Sequence, residues 1–115
     1  MPIFRLVFIV VVLSAGLIAQ AAALSYKDIA GRWCGLTSNY AFTQNSLTVT
    51  FHDSTPTRHF KVNSYEYLPG TIKMHWEDAK GEPLFTDFSE FSADGRSMAQ
   101  QQNEAGPRRP FRRCK

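Results

Sequence analysis

Cys34 and Cys114 are the only cysteines in the chain, and 80 positions separate them. Bridged cysteines hold their Cα atoms within about 4.4–6.8 Å of one another. If these two pair, the start of the folded region must lie beside its end. The N-terminus bears on whether they pair. Met1–Arg5 carries one positive charge and no negative one, Leu6–Ile18 is almost wholly apolar, and Ala19-Gln20-Ala21-Ala22-Ala23 follows with small residues. A charged start, an apolar stretch and an A-x-A site together read as a secretory signal peptide over residues 1–23. Cleavage is expected after Ala23, with Ala21 as the other site. The competing reading is an uncleaved anchor, because Ile3–Ala23 reaches the ~20 residues that cross a bilayer. Membrane contact is otherwise expected only through this segment before cleavage. An exported chain, periplasmic or secreted, meets an oxidising compartment, where a Cys34–Cys114 disulfide is expected. In the chain-entropy model, closing a loop of ~80 residues contributes roughly 4–5 kcal/mol. A redox-active pair is disfavoured, since the spacing is nothing like C-x-x-C.

The 115 residues leave about 92 after cleavage, enough for a single domain over residues 24–115. Within it, Ser46–His52 places Leu47, Val49 and Phe51 on one face and Ser46, Thr48, Thr50 and His52 on the other. Thr71–Glu77 alternates in the same way around Ile72, Met74 and Trp76. Period two with β-branched and aromatic residues marks half-buried antiparallel strands. His59–Tyr67 changes the parity of its apolar set at Asn63-Ser64, which predicts a bulge in a long strand. Gly31–Thr37, Tyr40–Thr43, Arg96–Gln101 and Arg109–Cys114 are weaker strand candidates. Leu84, Phe85, Phe88 and Phe91 fit a helical stripe as well as a strand. Pro83 and Asp94-Gly95 bound that segment closely, which favours the strand. A short helix is expected at Tyr26–Ala30. Turn residues at Asp53–Pro56, Pro69-Gly70, Lys80-Gly81 and Asp94-Gly95 separate the apolar runs. The expected fold is all-β: a small antiparallel meander barrel of seven to eight short strands, with one disulfide.

Residue types that carry chemistry are sparse. His52, His59 and His75 are the only histidines, and although Asp53 adjoins the first, their spacing matches no metal motif. They read as polar-face residues, and no metal site is expected. There is no G-x-S-x-G, no glycine-rich phosphate loop and no carboxylate pair of diagnostic spacing. An enzyme is therefore not expected, nor a cofactor. Charge is uneven along the chain: residues 24–107 hold seven Lys/Arg against ten Asp/Glu, whereas residues 108–115 hold five basic residues and no acid. Arg108, Arg109, Arg112 and Arg113 form a candidate patch for an anionic partner. An exported protein has no nucleic acid to meet, and none is expected as a partner. The competing reading makes the tail a final strand whose arginines pack on aromatic faces or sit in water. Aromatic residues are abundant, and Phe42, Phe60, Tyr65, Trp76 and Phe88 are candidates to line a ligand site. Eight short strands leave little interior room beyond side chains, so core packing competes with any cavity.

The stretch Asp28-Ile29-Ala30-Gly31-Arg32-Trp33-Cys34 resembles the opening of the calycins, the lipocalin-like barrels. There a G-x-W motif follows a short helical turn and begins the first strand, and Gly31 and Trp33 hold the motif positions. A basic residue near the barrel's end packs across the tryptophan in that family. The resemblance implies this role for Arg112 or Arg113, which a Cys34–Cys114 bridge would bring near Trp33. Small calycins also include bacterial periplasmic inhibitors of secreted metalloproteases, although only Leu24–Ala30 precedes the motif here. Phe88–Arg96, Met98–Gln101 and Gly106–Arg109 are similar to short exported bacterial proteins of no assigned function. The function expected is non-enzymatic binding of a small apolar or amphipathic ligand by a monomer. The alternative is a protein-interaction module, such as a periplasmic inhibitor or an envelope accessory protein.

Overall fold

Alternation of apolar and polar residues commits most of the chain to strands, and short turns between them leave each strand beside its predecessor. The computed structural model describes residues 23–102 and 106–115. The expected signal peptide, residues 1–23, lies outside the described residues but for Ala23. Among the described residues, one short helix, α1 (Tyr26–Ile29), precedes eight strands: β1 (Gly31–Gly35), β2 (Ser38–Phe42), β3 (Ser46–Phe51), β4 (Arg58–Leu68), β5 (Thr71–Glu77), β6 (Pro83–Ser89), β7 (Ser97–Gln102) and β8 (Arg109–Arg113). Each strand pairs antiparallel with the next, and β8 pairs back onto β1 to close the barrel. The β1–β8 register sets Trp33 opposite Arg113 and Gly35 opposite Phe111. Beside that seam lies the Cys34–Cys114 disulfide, whose Cα atoms are 5.1 Å apart. Closure removes both sheet edges, which would otherwise invite pairing with other chains.

The segment with two readings is a strand. In β6, Leu84, Thr86 and Phe88 share the inward face with their β5 partners Trp76, Met74 and Ile72. Phe85 points outward instead, and Lys73 Nζ lies 4.1 Å from its ring centroid. Pro83 starts the strand rather than preceding it, as a residue without an N–H can at a strand's first position. The register of β4 shifts between Val62 and Ser64, where the parity of its apolar residues changes. Beyond that bulge Tyr65 and Tyr67 take over the face that Phe60 and Val62 occupy before it.

The core runs up the barrel axis through Trp33, Phe42, Leu47, Val49, Val62, Ile72, Met74, Phe88, Met98 and Phe111, with Ile29 of α1 at one end. That end is sealed. Ser25 N donates to the Asp28 carboxylate across the helix start (2.7 Å), and Trp33 Nε1 donates to Ile29 O (2.9 Å). Phe91 meets the Trp33 ring edge-on at 6.5 Å, and Tyr26 packs against Tyr65 at 5.7 Å. Gly35 is required at the seam, because a Cβ there would stand 2.6 Å from the Phe111 ring and 2.8 Å from Ser38 O.

Candidate functional site: a cleft at the open end of the barrel

At the opposite end, where β1 turns into β2 and β3 leads into β4, no helix comparable to α1 covers the barrel among the described residues. A cleft of about 160 Å³ enters there between the strands. Leu47, Val49, Phe51, Met74 and Tyr40 form apolar walls, and Phe60, Trp76 and Phe88 add aromatic faces. The Phe60 and Trp76 rings meet edge-on at 5.1 Å. Tyr40 is clamped by Phe111, ring centroids 4.5 Å apart. Burial pushes its phenol above the usual tyrosine range, with the charge of Arg109 working in the other direction.

Polar groups interrupt these walls at fixed places. Strand alternation puts Thr86 on the inward face of β6, where its hydroxyl accepts the Trp76 indole N–H at 3.0 Å. In β7, Met98, Gln100 and Gln102 share the inward face, so an amide stands where the neighbouring strands carry hydrocarbon. Ser38, Thr86 and Gln100 are the polar side chains buried among the described residues. Gln100 is 5% exposed and Ser38 8%, and both line the cleft. Set into walls that are otherwise apolar, these polar side chains are a feature of the site. At the mouth stand Arg58, opposite Val49 on the β3–β4 ladder, and Arg109, opposite Gln100 on the β7–β8 ladder.

Of the five aromatic residues expected around a ligand, Phe60, Trp76 and Phe88 line this cleft. Phe42 and Tyr65 do not. Phe42 packs edge-on against Phe88 at 5.1 Å, deeper in the core. Tyr65 lies past the β4 bulge at the sealed end, where its hydroxyl donates to Thr43 O at 2.7 Å.

The four arginines of the tail are not gathered on one surface, because alternation along β8 sends neighbours to opposite faces. Arg109 turns toward the cleft mouth. Arg108 pairs with Glu90 outside the barrel at 2.9 Å, and Arg112 is exposed. Arg113 reaches the sealed end, where its guanidinium lies 4.0 Å from the Trp33 ring centroid. It donates to Ala30 O and, at 3.1 Å, to Asp28 O. Gly31, with φ +92°, adjoins the same guanidinium.

The histidines stay apart. His52 Nε2 meets Asn39 Oδ1 at 2.8 Å, His59 Nδ1 meets the Thr48 hydroxyl at 3.1 Å, and His75 pairs with Glu66 at 3.0 Å. Among the described residues, no three His, Cys, Asp or Glu side chains converge.

Ser38, Arg58, Thr86 and Gln100 were not singled out by the sequence pattern. The signal existed for Gln100 and Thr86, which share the parity of Met98 and Phe88. Arg58 and Ser38 sit at strand ends, where alternation has too few residues to register. Compared with known proteins, the chain matches no family model, no curated protein and no solved structure.

Proposed function

We propose that this is an exported, non-enzymatic binding protein that holds a small apolar or amphipathic molecule in the open end of its barrel. The observation that carries this reading is the cleft of about 160 Å³, in which aromatic walls stand beside the polar side chains of Ser38, Thr86 and Gln100. Ligand sites combine apolar surface with a few placed polar groups, and small eight-stranded barrels have room for one small ligand. The likeness of Gly31-Arg32-Trp33 to the calycin opening, with Arg113 across Trp33, supports a lipocalin-like carrier. The Cys34–Cys114 bridge is compatible with the oxidising location that export implies.

The test is intact-mass measurement, under native conditions, of protein purified from its own compartment without denaturant, followed by titration with 2-phenylethanol. Retained mass of small-molecule size, or a shift of the Trp76 indole N–H resonance on titration, supports the reading. A bare chain whose Trp76 and Gln100 resonances do not respond overturns it. The interaction-module reading then gains weight, resting on Leu36, which projects 81% exposed from the β1–β2 turn.

A further inference from the structure

We infer that the molecule held in the cleft carries an anionic head, of carboxylate type, on an apolar body about the size of one aromatic ring. This rests on the binding reading above and specifies its ligand.

The head is assigned by charge left uncompensated among the described residues. In a ring of eight consecutively paired strands, β4 and β8 stand diametrically opposite. Arg58 on β4 and Arg109 on β8 therefore flank the mouth from two sides, and both line the same cleft. Among the described residues neither has an acidic partner. The contrast with the other tail arginines is direct: Arg108 has Glu90, and Arg113 has the Trp33 ring and the backbone carbonyls of Asp28 and Ala30. Among the described residues, the carboxylates of the adjoining turns do not reach in. Asp53 accepts from Thr55 N at 2.8 Å, and Asp78 accepts from Lys80 N and Glu82 N at 2.8 and 2.9 Å. Each is committed to its own turn, and neither lines the cleft. A guanidinium offers several N–H donors in a plane that matches a carboxylate.

A second observation, independent of charge, comes from Gln100. It is 5% exposed, faces Arg109 across the β7–β8 ladder, and lines the cleft. An oxygen of an anion held by Arg109 would accept an N–H of that amide. The body is limited by volume. A dry cavity of ~150 Å³ accommodates benzene, and this cleft is about 160 Å³. A single ring or a short aliphatic chain fits, whereas a long acyl chain or a fused-ring system does not.

Phenylacetate, 2-phenylethanol and 2-phenylethylamine share one ring size and differ in the charge of the head, so their affinities separate the terms. Calorimetric titration of the full chain is expected to give phenylacetate an affinity at least about tenfold above the alcohol, with the amine weakest. In the Arg58→Gln/Arg109→Gln variant, the ratio of phenylacetate to alcohol affinity should fall to about one. As a check that needs no variant, raising salt to ~0.3 M should weaken phenylacetate and leave the alcohol alone. Equal affinity for anion and alcohol, or an anion preference that survives both salt and the double substitution, overturns the inference and leaves the cleft reading standing. If none of the three binds to folded protein, both fall.

Discussion

The guanidinium of Arg113 lies over Trp33, 4.0 Å from the ring centroid, and the same group reaches the backbone oxygens of Asp28 and Ala30. The tryptophan in turn donates to Ile29 O. A four-residue helix leaves its last carbonyls without intrahelical partners. Two side chains from the barrel seam supply those partners, which ties α1 to the point where β1 meets β8. Arg113→Met keeps hydrocarbon over the ring but removes the cation and its donors. It should cost about 2–3 kcal/mol, combining a cation–π contact with charged hydrogen bonds. Arg113→Lys should recover less than half, since an ammonium cannot stack and bridge two carbonyls together. Urea unfolding midpoints for the three proteins check the order.

The Cys34–Cys114 bridge spans 80 positions, and a loop of that length is worth roughly 4–5 kcal/mol in the chain-entropy model. Small domains have about 5–15 kcal/mol in total. Cys34→Ser/Cys114→Ser should therefore unfold at a much lower urea concentration than the oxidised protein, with the slope of the transition also altered. Reduction of the wild type with a thiol should give the same midpoint as the double variant, and a midpoint that does not move would contradict this account.

Tyr65 and Tyr40 give the fold an alkaline limit. Burial holds the phenols of both above the usual tyrosine range, and the neighbouring Tyr26 and Tyr67 push Tyr65 further in that direction. Above about pH 10 the unfolded chain releases these protons while the folded chain retains them. The folded state then binds more protons, so its stability is fully present below pH ~10 and is lost as pH rises beyond it. Unfolding free energies measured between neutral pH and pH ~11 should decline. Tyr65→Phe should flatten the decline while lowering stability at neutral pH, because the hydrogen bond to Thr43 O is lost. Absorbance of the phenolate should show at least two tyrosines titrating late.

Gly31 has φ +92°, a conformation that L side chains rarely adopt. A Cβ there would come no closer than 3.4 Å to Arg113 Nη1, an ordinary contact. Gly31→Ala should thus carry mainly the backbone cost, about 1–2 kcal/mol. A thermal midpoint unchanged from wild type would show that the strand start relaxes freely.

Within the cleft, Thr86→Val removes the acceptor of the Trp76 indole N–H, now 3.0 Å away, at nearly constant volume. Leaving that donor unpaired should cost about 1–2 kcal/mol. It should also shift the Trp76 indole resonance and fluorescence, while Trp33, at the sealed end, serves as an internal reference.

The strands were legible because side-chain alternation is a local property. Leu47-Val49-Phe51 and Ile72-Met74-Trp76 declare their buried faces within seven residues, and the parity change at Asn63-Ser64 marks the β4 bulge. Pairing of the two cysteines is expected from an oxidising compartment and their being the only candidates, and it sets the first strand beside the last, as the closed barrel has them. What a strand's own residues do not say is how far along the barrel axis each side chain stands, since that height depends on the tilt and stagger of all eight strands. Sequence alone therefore grouped Phe42 and Tyr65 with Phe60, Trp76 and Phe88, and the tertiary structure placed only the last three in the cleft. The same physics divided the tail: residues two apart in β8 share a face but lie at different heights. Arg109 thus stands at the mouth with Gln100 and Arg113 at the seal with Trp33, a separation that only the closed, staggered barrel decides.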